Sequence, residues 1–297
     1  MRCINPPTSL DFDLFHQGPS HLPVASIISW CGQAWGKGKS SEVIGKMEDI
    51  DEIEKGSIES FIVSFKVIIS GEYIGKALDE RFIDEFLNYL KIGNPEEKLT
   101  LTGMAMRTIE MKGGEKFIDL LVMDKRILEI VNLLMESERI KFHGNGKWKV
   151  DCVKANALCL IGTCITKETG FNILSDDLIN IILNGVMSDH IGIRGNSYFC
   201  IRRGIECNPH IFFDIPNCLD LILVGTLDEK ENVVEECLEV LQIILEEDIL
   251  EDNQMIFEKR DVFESLSKSI NLRISQISER VLYEISSKGG MECHISY

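Results

Sequence analysis

Four residues between positions 200 and 218 are of the types that bind zinc. Cys200, Cys207, His210 and Cys218 offer three thiolates and one imidazole, the usual ligands of a structural zinc ion. Their spacing does not fit such a site, because six residues separate the first two cysteines and a zinc knuckle uses a short Cys-x-x-Cys turn. We therefore expect no metal here and expect ordinary core residues instead.

Catalytic motifs are otherwise sparse. Six histidines and ten cysteines leave a cysteine–histidine nucleophile pair open, since any two of them could meet in space. The sequence contains no nucleophile elbow and no His-Glu-x-x-His motif, and the glycine-rich residues 36–41 lack the full spacing of a phosphate-binding loop. We predict that the chain is not an enzyme and needs no cofactor.

The candidate binding residues are Arg194, Arg202, Arg203 and Trp148. A guanidinium group suits a phosphate or an acidic peptide, because it can donate two parallel hydrogen bonds. The alternative for Arg194, at a predicted helix start, is that it bonds carbonyls or carboxylates of the adjacent unit. Tryptophan is common at the centre of interfaces, but burial inside the fold is the alternative for Trp148.

The composition restricts the partner class and the compartment. A net charge of −17 and a pI near 4.8 exclude sequence-independent nucleic-acid binding and favour a basic or neutral partner. Much of the negative charge lies in residues 228–264, where we expect a solvated outer helix face. Scattered cysteines and the lack of a signal-peptide pattern favour a reducing, cytoplasmic location. No apolar run is long enough to span a bilayer, so any membrane association would be peripheral and through a complex.

The dominant pattern of the sequence is a helical repeat. From residue 57 onward apolar residues recur with a period near 3.6, in segments that include 124–138, 149–166, 209–213 and 252–270. A recurring helix-turn-helix phrase places Cys218 forty residues after Leu178, inside the roughly 40–47 range of HEAT and armadillo units. The sequence therefore predicts an all-α armadillo/HEAT-type superhelix, or α-solenoid, of about five or six units.

The predicted organisation has three parts. Residues 1–22 form an irregular arm, residues 23–290 a single helical-repeat domain, and residues 291–297 a tail. Within the domain, residues 139–148 read as a loop insertion between two units, because a His-Gly-Asn-Gly core favours positive backbone dihedrals. Leu174 and Ile179 are predicted to be buried. Ala155 and Gly162 are small residues at which helices could approach closely.

The order of features between residues 103 and 203 resembles the C-terminal armadillo/HEAT region of the Rictor (Pianissimo) family, the scaffold subunit of target-of-rapamycin complex 2. Residues 265–285 are similar in character to the final repeat of that family. Two departures are Cys159, where the family usually has a large aromatic residue, and the Arg202-Arg203 pair, where it is apolar. The matching elements are Gly113-Gly114, Lys147-Trp148, Lys154-Ala155 with Gly162, Gly170-Phe171-Asn172-Ile173-Leu174, Asp176-Asp177, and Ile193-Arg194-Gly195 with Tyr198.

This resemblance implies a non-catalytic role. A family member would be a rigid curved subunit that helps to bind the target-of-rapamycin kinase and associated subunits and to recruit substrates. Members of the family are far longer, so this chain would be a reduced relative. The alternative is an armadillo-type adaptor of another pathway, such as a chaperone cofactor or a transport factor.

Overall fold

The computed structural model describes residues 57–70, 78–141, 146–166, 173–250 and 253–292, and among these all regular structure is helical. The predicted arm, the helix expected to begin near Val24, most of the short Gly170–Leu174 element and the last five residues lie outside the described residues. The α-helices of the described part are α1 Ile58–Ser70, α2 Glu80–Ile92, α3 Pro95–Ile109, α4 Glu115–Val122, α5 Leu128–Glu136, α6 Gly146–Cys164, α7 Asp176–Gly185, α8 Ile191–Cys207, α9 Cys218–Val224, α10 Glu231–Glu246, α11 Gln254–Phe257, α12 Arg260–Leu266 and α13 Leu272–Glu292.

Five of these helices form the spine of the molecule. Helices α3, α6, α8, α10 and α13 pack side by side in chain order, and the shorter helices flank them. The units are therefore α1–α3, α4–α6, α7–α8, α9–α10 and α11–α13. One apolar core runs through them from Phe61 to Ile285. The predicted all-α helical-repeat fold is confirmed.

Small residues set the distance between spine helices. A Cβ atom at Gly162 of α6 would lie 2.6 Å from the Phe199 ring of α8, so only glycine allows this approach. Ala155 and Ala157 of α6 are fully buried, as the sequence indicates. Leu174 and Ile179 are 8% and 4% exposed, which confirms their predicted burial.

Buried polar groups connect three spine helices. The Asn196 side chain of α8 donates a 2.7 Å hydrogen bond to the Ala155 carbonyl of α6. One unit earlier, Asn156 donates to the Thr102 hydroxyl of α3 over 3.2 Å, and Thr102 in turn donates to the Lys98 carbonyl. Because unpaired polar groups are costly inside a core, this polar ladder favours one relative position of the three helices.

Local signals in the sequence account for several helix starts. Asp79 accepts a 2.8 Å hydrogen bond from the Phe82 amide at the start of α2. Asn94 and Glu97 form a capping box around Pro95 at the start of α3, which satisfies two amides that lack helical partners. These caps fix the point at which each helix begins.

Three predicted segments differ from the structure. The predicted helix 124–138 is shorter, as α5 Leu128–Glu136, because Asp124 and Lys125 adopt φ values of 52° and 60° where the chain turns from α4 into α5. The predicted helix 209–213 is a series of turns, and the predicted helix 252–270 is interrupted between α11 and α12. The proposed insertion is shorter than expected, since α6 begins at Gly146 and already contains Trp148.

Candidate protein-binding surface

Arg194 is held by groups of its own chain. Its guanidinium makes two hydrogen bonds with the Asp228 carboxylate, of 2.6 and 3.0 Å, and donates to the carbonyls of Ser188 and Asp189. The hydrogen bond to Asp228, opposed by partial burial, raises the pKa of Arg194. The geometry is that of a clamp between the third and fourth units, which matches the alternative of bonding to the adjacent unit. A direct partner contact by Arg194 stays a prediction.

Arg202 lies in a charged cluster buried between α8, α10 and α13. The α10 ion cluster consists of Arg202, Glu235, Glu236, Glu239 and Arg273. The Arg202 Nε atom is 3.3 Å from Glu236 and 3.2 Å from Glu239, and Arg273 pairs with Glu235 and Glu239 from the other side. Three carboxylates therefore share two guanidinium groups across three successive units.

Two carboxyl groups of the α10 ion cluster have altered pKa values. Burial raises the pKa of Glu236 to about 7, although the nearby Arg202 acts in the opposite direction. Burial also raises the pKa of Glu235. The side chains of Glu235 and Glu239 are only 18% and 13% exposed. The expectation of a solvated outer face thus does not hold for this part of residues 228–264, because α10 is a spine helix with neighbours on both sides.

The remaining two candidate residues are more accessible. Arg203 is about one-third exposed, pairs with Glu206 and donates to the carbonyl of Ile165, just after α6, over 3.1 Å. Trp148, in the first turn of α6, is 45% exposed. Its burial inside the array is therefore only partial, and its role in binding stays a prediction.

The candidate zinc ligands do not assemble into a site. Cys200 is buried in α8 and its thiol donates to the Leu158 carbonyl, while Cys218 is buried at the start of α9. Burial raises the pKa of the Cys218 thiol to about 12, which disfavours the thiolate that a metal needs. Within the described ranges, no three histidine, cysteine or acidic side chains are placed to hold a metal ion.

One cysteine–histidine contact lies at another place. The Cys152 thiol of α6 is 3.9 Å from the His190 Nε2 atom, just before α8. Cys152 is 5% exposed, and burial lowers the pKa of His190, so a neutral imidazole faces a thiol with little access to solvent. The pair lies where the second and third units pack together. The two residues are 38 positions apart, and the sequence analysis did not predict their contact.

A cavity of about 740 Å³ opens beside this contact, between the second and third units. Its apolar wall comes from Ile140, Val150 and Met187, and Met187 is 59% exposed. Sequence reasoning missed this cavity, because its walls come from segments that are almost fifty residues apart. The candidate Trp148 does not line it, whereas Lys147 and Lys154, which line it, were named only as matching elements of the family resemblance.

The charged wall of the same cavity is mainly basic. Lys141, Lys147 and Lys154 line it together with Asp151 and Asp189. Lys147 and Asp189 form a 3.0 Å ion pair, and this pairing lowers the pKa of Asp189. We call this site the lysine cavity. It is a local region of positive charge on an acidic protein.

Comparison with known proteins identifies the fold and no family. The chain matches no protein-family model, and a search of the curated proteins finds no significant match. An engineered protein from the Northeast Structural Genomics Consortium is 15% identical, with a TM-score of 0.58 over 80% of this chain and 95% of its own. A second engineered protein from that consortium is 13% identical, with a TM-score of 0.52 over 90% and 100%.

A third solved structure is a designed armadillo repeat protein in complex with the peptide (KR)4. It is 11% identical, with a TM-score of 0.51 over 89% of this chain and all of its own. At these identities the similarity concerns the fold alone, and it agrees with an armadillo-type helical array. In the part of the chain that the structure describes, no helix combines the length and apolar character needed to cross a membrane.

Proposed function

We propose that this chain is a non-catalytic scaffold that binds other proteins. The observation that carries the proposal is the stack of five units on one continuous core, which leaves the exposed surfaces of the spine and flanking helices for partners. In such an array each unit contacts mainly its neighbours, so the outer surface can vary without loss of the fold. A designed armadillo repeat protein of similar fold was solved in complex with the peptide (KR)4, which supports peptide binding as a use of such an array.

The specific role we propose is that of a reduced Rictor-like subunit in target-of-rapamycin complex 2. The support is the order of motifs between residues 103 and 203, which ends with Ile193-Arg194-Gly195. In the structure this last motif opens α8, the central spine helix, and Arg194 clamps the next unit there.

The alternative is an armadillo-type adaptor of another pathway, such as a chaperone cofactor or a transport factor. The observation in its favour is the net charge of −17, which suits a basic segment of a partner. The designed neighbour was solved with such a basic peptide. Both roles are non-catalytic and would be exercised in the cytoplasm, either freely or at a membrane through a complex.

Identification of co-purifying proteins tests these roles. The full chain would be tagged in its native cells, purified under mild conditions and analysed by mass spectrometry. Recovery of the target-of-rapamycin kinase with its associated subunits would support the Rictor-like role. Recovery of chaperones or transport receptors without the kinase would refute that role and support the alternative. Absence of any reproducible partner would contradict the scaffold function itself.

A further inference from the structure

We propose that the lysine cavity binds a short acidic segment of a partner protein, with an apolar side chain inserted between the second and third units. The proposal rests on the scaffold function and assigns a partner class to one place on the array. It differs from the basic partner that the overall charge of the chain suggests. Three features of the cavity support it.

The first feature is its shape and apolar wall. A volume of about 740 Å³ falls in the range of roughly 300–1,000 Å³ typical of ligand-binding pockets. Ile140 and Val150 are partly buried, while Met187 is exposed over more than half of its surface. A methionine side chain adapts easily to the shape of a bound group. A leucine or phenylalanine side chain of a partner would cover this wall.

The second feature is the local charge. Residues 139–154 contain five basic residues and one acidic residue, in a chain with a net charge of −17. Helix α6 begins at Gly146 in the cavity wall, so the positive end of its dipole adds to the lysines. The side chains of Lys147 and Asp189 are 77% and 90% exposed, so their ion pair is screened and can be exchanged for a partner carboxylate at little cost.

The third feature separates a peptide from other anions. Asp151 and Asp189 lie in the same wall as the lysines. A phosphate dianion presents only negative oxygens to both carboxylates, whereas a peptide can direct its acidic side chains to the lysines and its backbone amides to the carboxylates. The same carboxylates can accept hydrogen bonds from the backbone amides of a bound peptide. A segment that carries both amides and acidic side chains therefore fits the wall better than a nucleic acid or a lipid does.

Fluorescence anisotropy with a defined probe tests the proposal. The probe is a short fluorescein-labelled peptide in which leucine and phenylalanine are flanked by aspartate and glutamate, and the control peptide has lysine at each acidic position. We expect saturable binding of the acidic probe to the full chain, weakened by added salt. Absence of saturable binding, equal binding of the lysine peptide, or displacement of the probe by inorganic phosphate or phosphoinositide vesicles would overturn the proposal.

Matched variants locate the binding. The double variant Lys141→Glu/Lys147→Glu reverses two exposed charges and should weaken probe binding about tenfold, and Met187→Asp should have a similar effect. Lys259→Glu, an exposed change far along the chain in the last unit, should leave binding unchanged. Equal affinities for all variants, with intact helical circular dichroism, would refute the assignment to the cavity.

The same variants distinguish failure of this inference from failure of the scaffold function. If the tagged Lys141→Glu/Lys147→Glu chain loses an acidic partner that the unaltered chain captures, the assignment is supported. If it captures the same partners in the same amounts, the cavity proposal fails while the scaffold function stands.

Discussion

Residues 228–264 and residues 139–154 are two regions of opposite charge in this molecule. The first contains fourteen acidic and three basic residues, whereas the second contains five basic and one acidic. In the acidic region several carboxylates form ion pairs within the fold: Glu236 and Glu239 contact Arg202, and Asp228 contacts Arg194. In the basic region Lys141 and Lys147 remain exposed around a cavity.

The comparison shows that the density of charge in a sequence does not locate a binding surface. What differs is the exposure of the pairs that each region forms with a neighbouring unit: the Glu236 and Glu239 side chains are 4% and 13% exposed, whereas those of Lys147 and Asp189 are 77% and 90% exposed. Arg202 and Arg273 reach α10 from both sides, so its carboxylates are shared before any partner arrives. The lysine cavity is lined by fewer carboxylates than lysines. The predictions below test this difference, beginning with the largest expected effect.

Removal of Arg202 should destabilise the protein more than any surface change. Arg202→Met removes the cation paired with the buried Glu236 and leaves Glu239 with Arg273 alone, and we expect the free energy of unfolding to fall by about 3 kcal/mol. Urea unfolding followed by circular dichroism measures it. The matched control is Arg260→Met, which breaks an exposed pair with Glu264 and should cost about 0.5 kcal/mol or less. Similar losses for the two variants would mean that the ion cluster is not a structural element.

The loss of stability at a buried apolar residue provides a reference for the loss expected in the α10 ion cluster. Ile179→Ala in α7 should lower the free energy of unfolding by about 2–5 kcal/mol, because it removes buried methyl and methylene groups and leaves a cavity. Met187→Ala, eight residues later and exposed, should change it by about 0.5 kcal/mol or less. A loss below about 1 kcal/mol for Ile179→Ala in urea unfolding would contradict the register of α7.

The stability of the acidic region should depend on pH in a defined direction. Burial raises the pKa of Glu236 from its ordinary value of 4.5 to about 7, so the folded state holds this proton more tightly than the unfolded state. The contribution of Glu236 to stability is therefore most favourable below about pH 4.5 and is lost as the pH rises through 7. Glu236→Gln removes this dependence.

The measurement is urea unfolding of the unaltered chain and of Glu236→Gln over a series of pH values. The difference between their free energies of unfolding should change by on the order of 2 kcal/mol between pH 5 and pH 8. Parallel pH profiles for the two proteins would show that the pKa of Glu236 is the same in the folded and unfolded states. That result would contradict the burial of charge in the acidic region, on which the comparison with the exposed basic region depends.

The smallest effect is expected at the lysine cavity. Lys147→Ala breaks an ion pair between two exposed side chains, and we expect no measurable change in the thermal unfolding midpoint. Differential scanning calorimetry measures it, with the unaltered chain as reference. A clear drop in the midpoint would mean that Lys147 stabilises the fold, and would contradict its proposed availability to a partner carboxylate.

The sequence was sufficient to predict the helical array, and the reason is local. Apolar residues with a period near 3.6 and caps such as Asn94 act within a few residues, and the spacing from Leu178 to Cys218 repeats the unit. The start of the predicted helix 124–138 was placed too early, because Asp124 and Lys125 take positive φ in a turn that the Ile127 amide closes by donating to the Leu121 carbonyl.

The candidate site was less predictable, because it depends on which units meet. Arg202 and Glu236 are 34 residues apart, and Lys147 and Asp189 are 42 apart. Nothing in either separation distinguishes a pair that is buried from one that is exposed. The sequence therefore identified Arg194 and Arg202 as charged side chains of interest, but not the partners that they have inside the fold.

The polar ladder through Thr102, Asn156 and Asn196 has a mechanical consequence. Apolar contacts between two helices survive a small slide along their axes, but a hydrogen bond of 2.7 Å from an amide to one particular carbonyl does not. The first three units should thus resist axial slippage while still allowing the superhelix to flex. In the later units the Arg194 clamp and the α10 ion cluster connect successive spine helices, so resistance to sliding extends along the described spine.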